Sequence, residues 1–356
     1  MIFKALLVLL VVLAASQVAK MIYLLGYHKT LYNHQPGLCR PLPLMVNGSE
    51  DITMTSKGLV FMSTGYPLKP DEIKGRIFSF DFNNPSENAI EVTIEGNFDQ
   101  DNFHPHGISH WEDPNTGQVL IHIVNHHPKE ERIEIFNFIP ERHAVRHVKS
   151  VTDSTIFSVN DIFAVGPDSF YFTNDFYFSN QLRQVEFQFR LPSGGVGFFD
   201  GTMGRFLWSG ISLASGINVS PDKRYLYVTS YGEESVIVFA VQEDYSIDKL
   251  QVIPVHTGVD NLEVDTDTGD LWLGCHPVQH QLVGYLHNKY PSTPSQVLRI
   301  RFKSDDHSHG DYEIQEVFVD DGAIISGSSV AKFYKNKLLI GSVLHTTLYC
   351  EIAYEL

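Results

Sequence analysis

The sequence predicts an all-β fold in which many short strands are arranged around a common axis. Segments rich in Val, Ile, Phe and Tyr recur along the chain, among them GLVFMS, QVLIHIV, RIEIFNF and YLYVTS. Turns containing Gly, Pro, Asn and Asp separate these segments. In residues 224–228 two tyrosines share one face and two aliphatic side chains the other, as in a strand. Between residues 50 and 300 the sequence shows no convincing amphipathic helix.

The number and spacing of the strands fit a β-propeller or a large sandwich in a chain of 356 residues. The segments VSPDKRYLYVTSYGEESVIVFAV and VDTDTGDLWLGCHP both place an Asp-containing turn before a strand with aromatic residues. Related units of this kind favour a propeller. We therefore expect six blades of four strands over residues 28–356, after a hydrophobic N-terminal helix in residues 1–27.

The N-terminal segment has the composition of a targeting sequence. Lys4 precedes the apolar run of residues 5–15, ALLVLLVVLAA. This length fits the core of a signal peptide better than a membrane span, which needs about 20 apolar residues. The apolar run MIYLLGY resumes after Lys20, so an uncleaved, interrupted anchor is the alternative. Both interpretations place the remaining chain in the lumen or outside the cell.

Glycosylation sequons agree with a secretory route, since Asn47 and Asn218 both begin an Asn-x-Ser motif. The chain has 3 cysteines, so an oxidising compartment favours one disulfide and one remaining thiol. A bridge between Cys39 and Cys350 would tie the two ends of the domain together and leave Cys275 free. The alternative is that all three are small core residues.

The composition excludes several classes of protein. Charged residues make up 19% of the chain, which is not typical of a disordered or coiled-coil protein. The net charge is −16, whereas nucleic-acid binding usually needs a basic surface, so we expect no nucleic-acid partner. A cation site suits an acidic chain better.

Three polar dipeptides are candidate metal ligands: Glu50-Asp51, Asn160-Asp161 and Asp260-Asn261. Each lies beside an apolar, strand-like run and offers only oxygen donors, which hard cations such as calcium prefer. A single pair of this kind is more often a turn or a cap. In a propeller, however, the innermost strands all line one channel, where residues distant in sequence meet.

Six motifs resemble the paraoxonase/arylesterase family: NGSEDI, HPHGIS, VNDIFAVGPDSFYFTND, GINVSPDKRYLYV, DNLEVDTDTGDLWLGCHP and KLLIGSVLHTTLYCE. The resemblance extends from about Cys39 to the C-terminus. It implies a six-bladed β-propeller with two calcium ions in its central tunnel. It also implies hydrolysis of lactones, aryl esters and, in some members, organophosphate triesters.

The resemblance assigns ligands to both ions. A catalytic calcium would be held by Glu50, Asn160, Asp260 and Asn261. A structural calcium would be held by Asp51, Asp161 and the main-chain carbonyl of Ile108. The family has a further Asn ligand in an Ala-Asn-Gly-Ile motif, where this chain has Ser215, a shorter and weaker hydroxyl ligand. Ser215 either binds calcium directly or through a water, since calcium tolerates variable coordination, or marks a weakened or lost catalytic site.

The resemblance also maps a histidine dyad to His106 and His126. One histidine would act as general base toward water, and the other would orient it and move the proton. His276 is expected to line the same cavity. A Gly-x-Ser-x-Gly nucleophile motif is absent from the sequence, so we expect no covalent serine intermediate.

The segments that form the pocket entrance in the family differ in this chain. Residues 65–78, which correspond to a flexible lid, are short and keep Tyr66 as an aromatic residue. Residues 179–201 match poorly the part of the family that includes a surface helix.

The predicted function is a calcium-dependent lactonase or arylesterase acting on a lipophilic lactone or ester, with organophosphate triesters as a side activity. Association with a membrane or a lipoprotein would involve the N-terminus. The first alternative is a catalytically weak or inactive membrane-anchored accessory or chaperone-like protein for membrane proteins. The second is a propeller whose ions serve stability only.

Overall fold

The computed structural model describes residues 2–45, 47–65, 73–178 and 181–353, whose strands form six sheets arranged as the blades of a β-propeller. The innermost strands of the blades contact one another in a closed ring. The prediction of an all-β, six-bladed propeller preceded by an apolar helix is therefore confirmed.

The helices of the described chain are α1 (Ile2–Leu24), α2 (Leu182–Phe189) and α3 (Gln279–Leu286), with single 3-10 turns at Gln100–Asn102, Pro140–Arg142 and Tyr231–Glu233. Its strands are β1 (Cys39–Pro41), β2 (Asp51–Met54), β3 (Leu59–Thr64), β4 (Arg76–Asp81), β5 (Ile90–Glu91), β6 (Thr93–Glu95), β7 (Pro105–Glu112), β8 (Val119–His127), β9 (Glu130–Ile139), β10 (Ala144–Val151), β11 (Val159–Ala164), β12 (Phe170–Asn174), β13 (Gly194–Phe199), β14 (Gly204–Ile211), β15 (Ala214–Val219), β16 (Tyr225–Ser230), β17 (Ser235–Val241), β18 (Ile247–Pro254), β19 (Gly258–Val264), β20 (Leu271–His276), β21 (Ser295–Phe302), β22 (Tyr312–Asp320), β23 (Ser328–Tyr334), β24 (Lys337–Ser342) and β25 (Leu348–Glu351).

Each blade begins at the axis, with β2, β7, β11, β15, β19 or β23 innermost, and continues outward through antiparallel neighbours. One blade departs from the predicted four strands. Strand β6 pairs in parallel with β10 and makes the β7–β10 blade five-stranded. Short connecting segments between blades are thus recruited to cover an otherwise unpaired strand edge.

The last blade combines both ends of the propeller, because β1 pairs with β25 outside β24 and β23. Cys39 and Cys350 face each other in this pairing and form a disulfide. The predicted bridge is confirmed. The remaining cysteine of the three, Cys275, is a buried free thiol.

The core lies between neighbouring blades. Ile52, Val60 and Phe78 of the first blade, for example, pack against Leu339 and Tyr349 of the last. The inner strands bury one aliphatic residue each beside the axis: Ile52, Ile108, Ile162, Ile217, Leu262 and Val330. Because the apolar faces of adjacent blades are buried against each other, every blade depends on both of its neighbours.

Helix α1 is continuous and is not interrupted after Lys20. The stretch Phe3–Leu24 has a mean hydropathy of 2.3 and is unburied, so by length and composition it fits a membrane span or a signal sequence. Together with the disulfide, this helix indicates a secretory route. Residues 25–29 then dock on the propeller, where the N–H of His280 donates to the carbonyl of Leu25 (3.1 Å) and Tyr27 stacks on His280.

The expectation of no helix between residues 50 and 300 is wrong for α2 and α3. The end of α2, QVEFQF, alternates apolar and polar residues as a strand does, although Leu182, Val185 and Phe189 also follow helical spacing. Each helix has only 8 residues, which is too short for periodicity to decide. Both helices contribute to the wall of the cavity described next.

Candidate active site and metal centre

The six innermost strands bring a repeated tripeptide to the propeller axis. Each consists of two polar or small residues followed by a buried aliphatic one: Glu50-Asp51-Ile52, His106-Gly107-Ile108, Asn160-Asp161-Ile162, Ser215-Gly216-Ile217, Asp260-Asn261-Leu262 and Ser328-Ser329-Val330. In five of these, within the described strands, the register to the next strand shifts at the tripeptide. Such bulges re-aim side chains and let consecutive residues approach the axis.

Hydroxyl groups pair with main-chain atoms at these bulges. The hydroxyl of Thr229 donates to the carbonyl of Asp260 (2.5 Å), and that of Thr173 to the carbonyl of Ser215 (2.6 Å). The hydroxyl of Ser329 donates to the carbonyl of Glu50 (2.6 Å) across the junction of the last and first blades. The candidate ligands are therefore held by their main chain as well as by packing.

Glycine is required where neighbouring inner strands approach most closely. A Cβ on Gly107 would lie 2.6 Å from the Cα of Asp161, and one on Gly216 would lie 2.7 Å from the Cα of Asn261. Any larger residue would separate the blades and move the candidate ligands apart.

Within the described chain, two cavities lie on either side of these tripeptides. The upper cavity has a volume of about 680 Å³ and includes Glu50, Asn160, Ser215 and Asp260 in its wall. The lower cavity has a volume of about 640 Å³ and includes Asp51, Ile108 and Asp161. Successive residues of the first two dipeptides thus face different cavities, as the division into two ion sites predicts.

The upper site consists of Glu50, Asn160, Asp260 and Asn261. The amide Nδ2 of Asn261 donates to the carbonyl of Glu50 (3.0 Å) and to its Oε1 (2.8 Å). Ser215 lies in the wall of the upper cavity, with its hydroxyl donating to the carbonyl of Leu213 (3.3 Å).

The lower site consists of Asp51, Asp161 and Ile108. Asp51 Oδ2 accepts the N–H of Ile108 (2.8 Å), and Asp161 Oδ2 accepts the N–H of Ile217 (2.8 Å). The structure therefore brings the three predicted residues together.

The upper site offers the oxygen ligands that a hard cation prefers. Three buried oxygens, Glu50 Oε2, Asn160 Oδ1 and Asn261 Oδ1, have no hydrogen-bond partner among the described residues. A buried polar atom without a partner is costly, and a bound cation would compensate all three. Among described residues, no group of three or more His, Cys, Asp or Glu side chains alone could hold a metal ion. The amide oxygens of Asn160 and Asn261 would add to the two carboxylates, Glu50 and Asp260, as ligands.

Burial dominates the electrostatics of the axis. It raises the pKa of Glu50 to about 8, although the hydrogen bond from Asn261 opposes the shift. Burial also raises the pKa values of Asp51, Asp161 and Asp260 well above the usual range, and neighbouring carboxylates add to each shift. So many like charges in a desolvated place require positive compensation.

A chain of hydrogen bonds runs from Glu131 through the predicted dyad to His106, which lies beside Glu50. Glu131 accepts the Nδ1 proton of His126 (2.8 Å), so His126 keeps its lone pair on Nε2. That atom accepts the Nδ1 proton of His106 (2.9 Å). His106 then carries its lone pair on Nε2, which lies 3.4 Å from Glu50 Oε1. Burial lowers the pKa of His106, which keeps the imidazole neutral.

Several residues of the upper cavity were missed from the sequence. Glu131 orients His126, and Phe176, Phe187, Leu213 and Leu282 supply an apolar wall. Glu131 follows His126 by five residues across the β8–β9 hairpin, where His126 and Glu131 pair directly. The short polar segment after VNHHP, which separates two strand-like runs, was the available signal. His276 lines the cavity as expected, with Nε2 3.8 Å from Asp260 Oδ2.

The two sequons differ in environment. Asn218 is buried in β15 and its Nδ2 contacts the carbonyl of Leu262 (3.4 Å) and Glu263 Oε1 (3.3 Å). This burial contradicts the predicted glycan, because the amide nitrogen must reach solvent to be modified. Asn47 is half-buried and remains a predicted site. Tyr66 lies outside the described residues.

Comparison with known proteins agrees over nearly the whole chain. A family described as arylesterase matches residues 34–352. Serum paraoxonase/arylesterase 2 of Rattus norvegicus is 36% identical over 322 residues, which is 88% of each chain. Serum paraoxonase/lactonase 3 of Oryctolagus cuniculus is 36% identical over 325 residues, 89% of this chain and 90% of the relative. The solved structure of a luciferin-regenerating enzyme has a TM-score of 0.54 at 11% identity, covering 90% of this chain and 100% of its own, and supports the fold alone.

The raised carboxylate pKa values predict how the stability of metal-free protein depends on pH. Glu50 has a pKa of about 8 in the folded protein and an ordinary value of 4.5 in the unfolded chain. Its contribution to the free energy of unfolding is therefore lost as the pH rises toward and through 8. The pKa of His106 is lowered, so its contribution to stability increases with pH instead. This contribution no longer changes above pH 6.5, the ordinary pKa of histidine. We expect the melting temperature of EDTA-treated protein to fall by about 4 °C or more between pH 7 and 8.5. Differential scanning calorimetry would measure the melting temperature at each pH. Glu50→Gln should reduce the dependence of the melting temperature on pH. An unchanged dependence would contradict the raised pKa of Glu50.

Proposed function

The chain belongs to the arylesterase family and is a hydrolase of esters or lactones; on that premise we propose that it is a calcium-dependent lactonase and arylesterase with organophosphate triesters as a side activity. One observation carries the proposal. The unpartnered oxygens of the upper site and the His106–His126–Glu131 chain meet at Glu50, in the wall of one large cavity.

The residues of the two sites fit two calcium ions. Calcium takes six to eight oxygen ligands in flexible geometry, and both sites offer carboxylate, amide or carbonyl oxygens. Glu50, Asn160, Asp260 and Asn261 would hold one ion, and Asp51, Asp161 and Ile108 the other. Once bound at the upper site, calcium would polarise the substrate carbonyl and stabilise the negative charge that develops on its oxygen.

The dyad supplies the proton chemistry. His106 Nε2 accepts a proton from the attacking water as the water oxygen bonds to the carbonyl carbon. The Nδ1 proton of His106 moves to His126 Nε2, and Glu131 stabilises the resulting imidazolium. Return of a proton to the leaving alkoxide or phenoxide completes hydrolysis and restores the neutral dyad.

The cavity wall favours lipophilic substrates. Phe176, Phe187, Leu213 and Leu282 line the same cavity as the dyad and offer apolar surface to a substrate. Residues 25–29 connect α1 to α3, whose side chains also line this cavity. We propose that association with a membrane or lipoprotein through α1 places the cavity near such substrates.

Ser215 favours a second candidate function. Its hydroxyl lies in the cavity wall but donates to its own chain, at the position where the family resemblance predicts an amide ligand. A chain with a weakened upper site would be a membrane-anchored accessory protein with little activity.

Activity measurements separate the two candidates. We expect purified full-length protein in detergent to hydrolyse a lipophilic lactone and phenyl acetate with calcium, and to lose this activity with EDTA. Glu50→Gln should lower kcat/KM by about 100-fold or more, because it removes a buried charge from the upper site. No hydrolysis above background in calcium would reject the enzyme and favour the accessory role.

The proton chain has its own test. We expect His106→Gln to lower kcat by about 100-fold and Glu131→Gln by about 10-fold, each with a smaller change in KM. His127→Gln is the matched control, since His127 is buried beside His126 but contacts Asp99 and does not line the cavity. Its kcat should stay within about 2-fold. Equal losses in all three variants would indicate a general packing effect and would exclude the relay.

The effect of Ser215 is measurable as ion binding. We expect Ser215→Asn to lower the calcium Kd of the upper site by about 10-fold, because an amide oxygen reaches farther than a hydroxyl and is a better calcium ligand. Isothermal titration calorimetry gives the Kd, and Ser212→Asn on the preceding turn serves as control. An unchanged Kd would show that the side chain at position 215 does not face the ion.

A further inference from the structure

The lower cavity contains a buried ion pair that the proposed reaction does not use. The Nζ atom of Lys332 on β23 donates to Oε2 of Glu263 on the neighbouring β19 (2.5 Å). It also donates to the carbonyl of Val264 (3.1 Å). Lys332 is 5% exposed and Glu263 is 7% exposed. Removing two charges from water is costly, so an ion pair in this position calls for a physical reason.

The pair shares the lower cavity with Asp51 and Asp161. The Glu263 carboxylate acts electrostatically on both of them. Glu263 also accepts the amide of Asn218 (3.3 Å) through Oε1, so its two oxygens are held by Asn218 and Lys332. Glu263 is thus a carboxylate beside the lower site that could bind a metal cation but instead pairs with the ammonium group of Lys332.

The charges along the axis explain this arrangement. Glu50 and Asp260 would balance one divalent ion, and Asp51 and Asp161 would balance the other. Glu263 is then a further buried carboxylate of the lower cavity, whose other carboxylates, Glu112 and Asp267, are half-buried and exposed. The single positive charge of Lys332 matches that of Glu263. The ammonium group also repels a divalent ion across a desolvated space, where charges interact strongly.

Resting on the two-ion assignment above, we propose that Lys332 is a tethered counter-ion that occupies Glu263 and thereby sets the affinity of the lower site for its divalent cation. Lys332 weakens the site by repulsion and by withholding one carboxylate. Glu263 strengthens it by neutralising the ammonium. The two residues therefore act in opposite directions on the same ion, although each stabilises the other.

Three variants give distinct expectations. Lys332→Met releases Glu263 toward the ion and should lower the Kd of the lower site by about 10-fold. Glu263→Gln leaves the ammonium without its partner and should raise this Kd by about 10-fold. The double variant restores the charge balance and should bind within about 3-fold of the native protein. Lys335→Met is the matched control, because Lys335 is an exposed lysine at the mouth of the same cavity.

The experiment is a calcium titration of full-length protein in detergent against a competing chelator, which gives both stoichiometry and Kd. Calorimetric melting of the chelated variants gives a second readout, since Lys332→Met should lower the metal-free melting temperature more than Lys335→Met. If either single variant does not fold, the double variant decides: a Kd change of about 10-fold or more overturns the counter-ion role. Two bound ions with equal Kd values in Lys332→Met and Lys335→Met would overturn this inference alone. Fewer than two ions in the native protein would overturn the two-ion assignment as well.

Discussion

The structure depends on the convergence of buried carboxylates at the propeller axis. Glu50, Asp51, Asp161 and Asp260 come from three different blades, and their mutual repulsion opposes the close approach of those blades. Apolar packing between the blades holds the inner strands together. Gly107 and Gly216 allow the main chains of neighbouring inner strands to approach closely. The fold therefore holds oxygen donors in positions that they would not adopt alone, which is the condition for strong cation binding.

The tripeptides at the axis place consecutive residues of the chain in two different chemical environments. In a regular strand, neighbouring side chains point to opposite faces of the sheet. At the axis this alternation becomes a separation between the upper and lower cavities, with Glu50 facing one and Asp51 the other. In the proposed function, proton transfer and substrate binding take place in the upper cavity. The lower cavity contains charge compensation, including the Lys332–Glu263 pair.

The sequence predicted the strands and the ligand pairs because both are local patterns: alternating apolar residues, and consecutive polar residues beside an apolar run. It did not predict α2, since QVEFQF fits two periods at once. It missed Glu131 and the Lys332–Glu263 pair because pairing across a hairpin or between blades depends on register and on three-dimensional proximity. The burial of Asn218 was invisible for the same reason, since a sequon carries no information on exposure.

The closure of the last blade has a consequence for biosynthesis. Strand β1 finds its partner β25 only after nearly the whole chain has been synthesised, and the contact between Ser329 and Glu50 joins the same two ends. Nascent chains emerging from the ribosome therefore possess neither a closed ring nor a complete upper site. The Cys39–Cys350 bond forms at the same late stage, because it joins the same two strands. Until then, the apolar faces of the first and last blades lack the partners against which they pack.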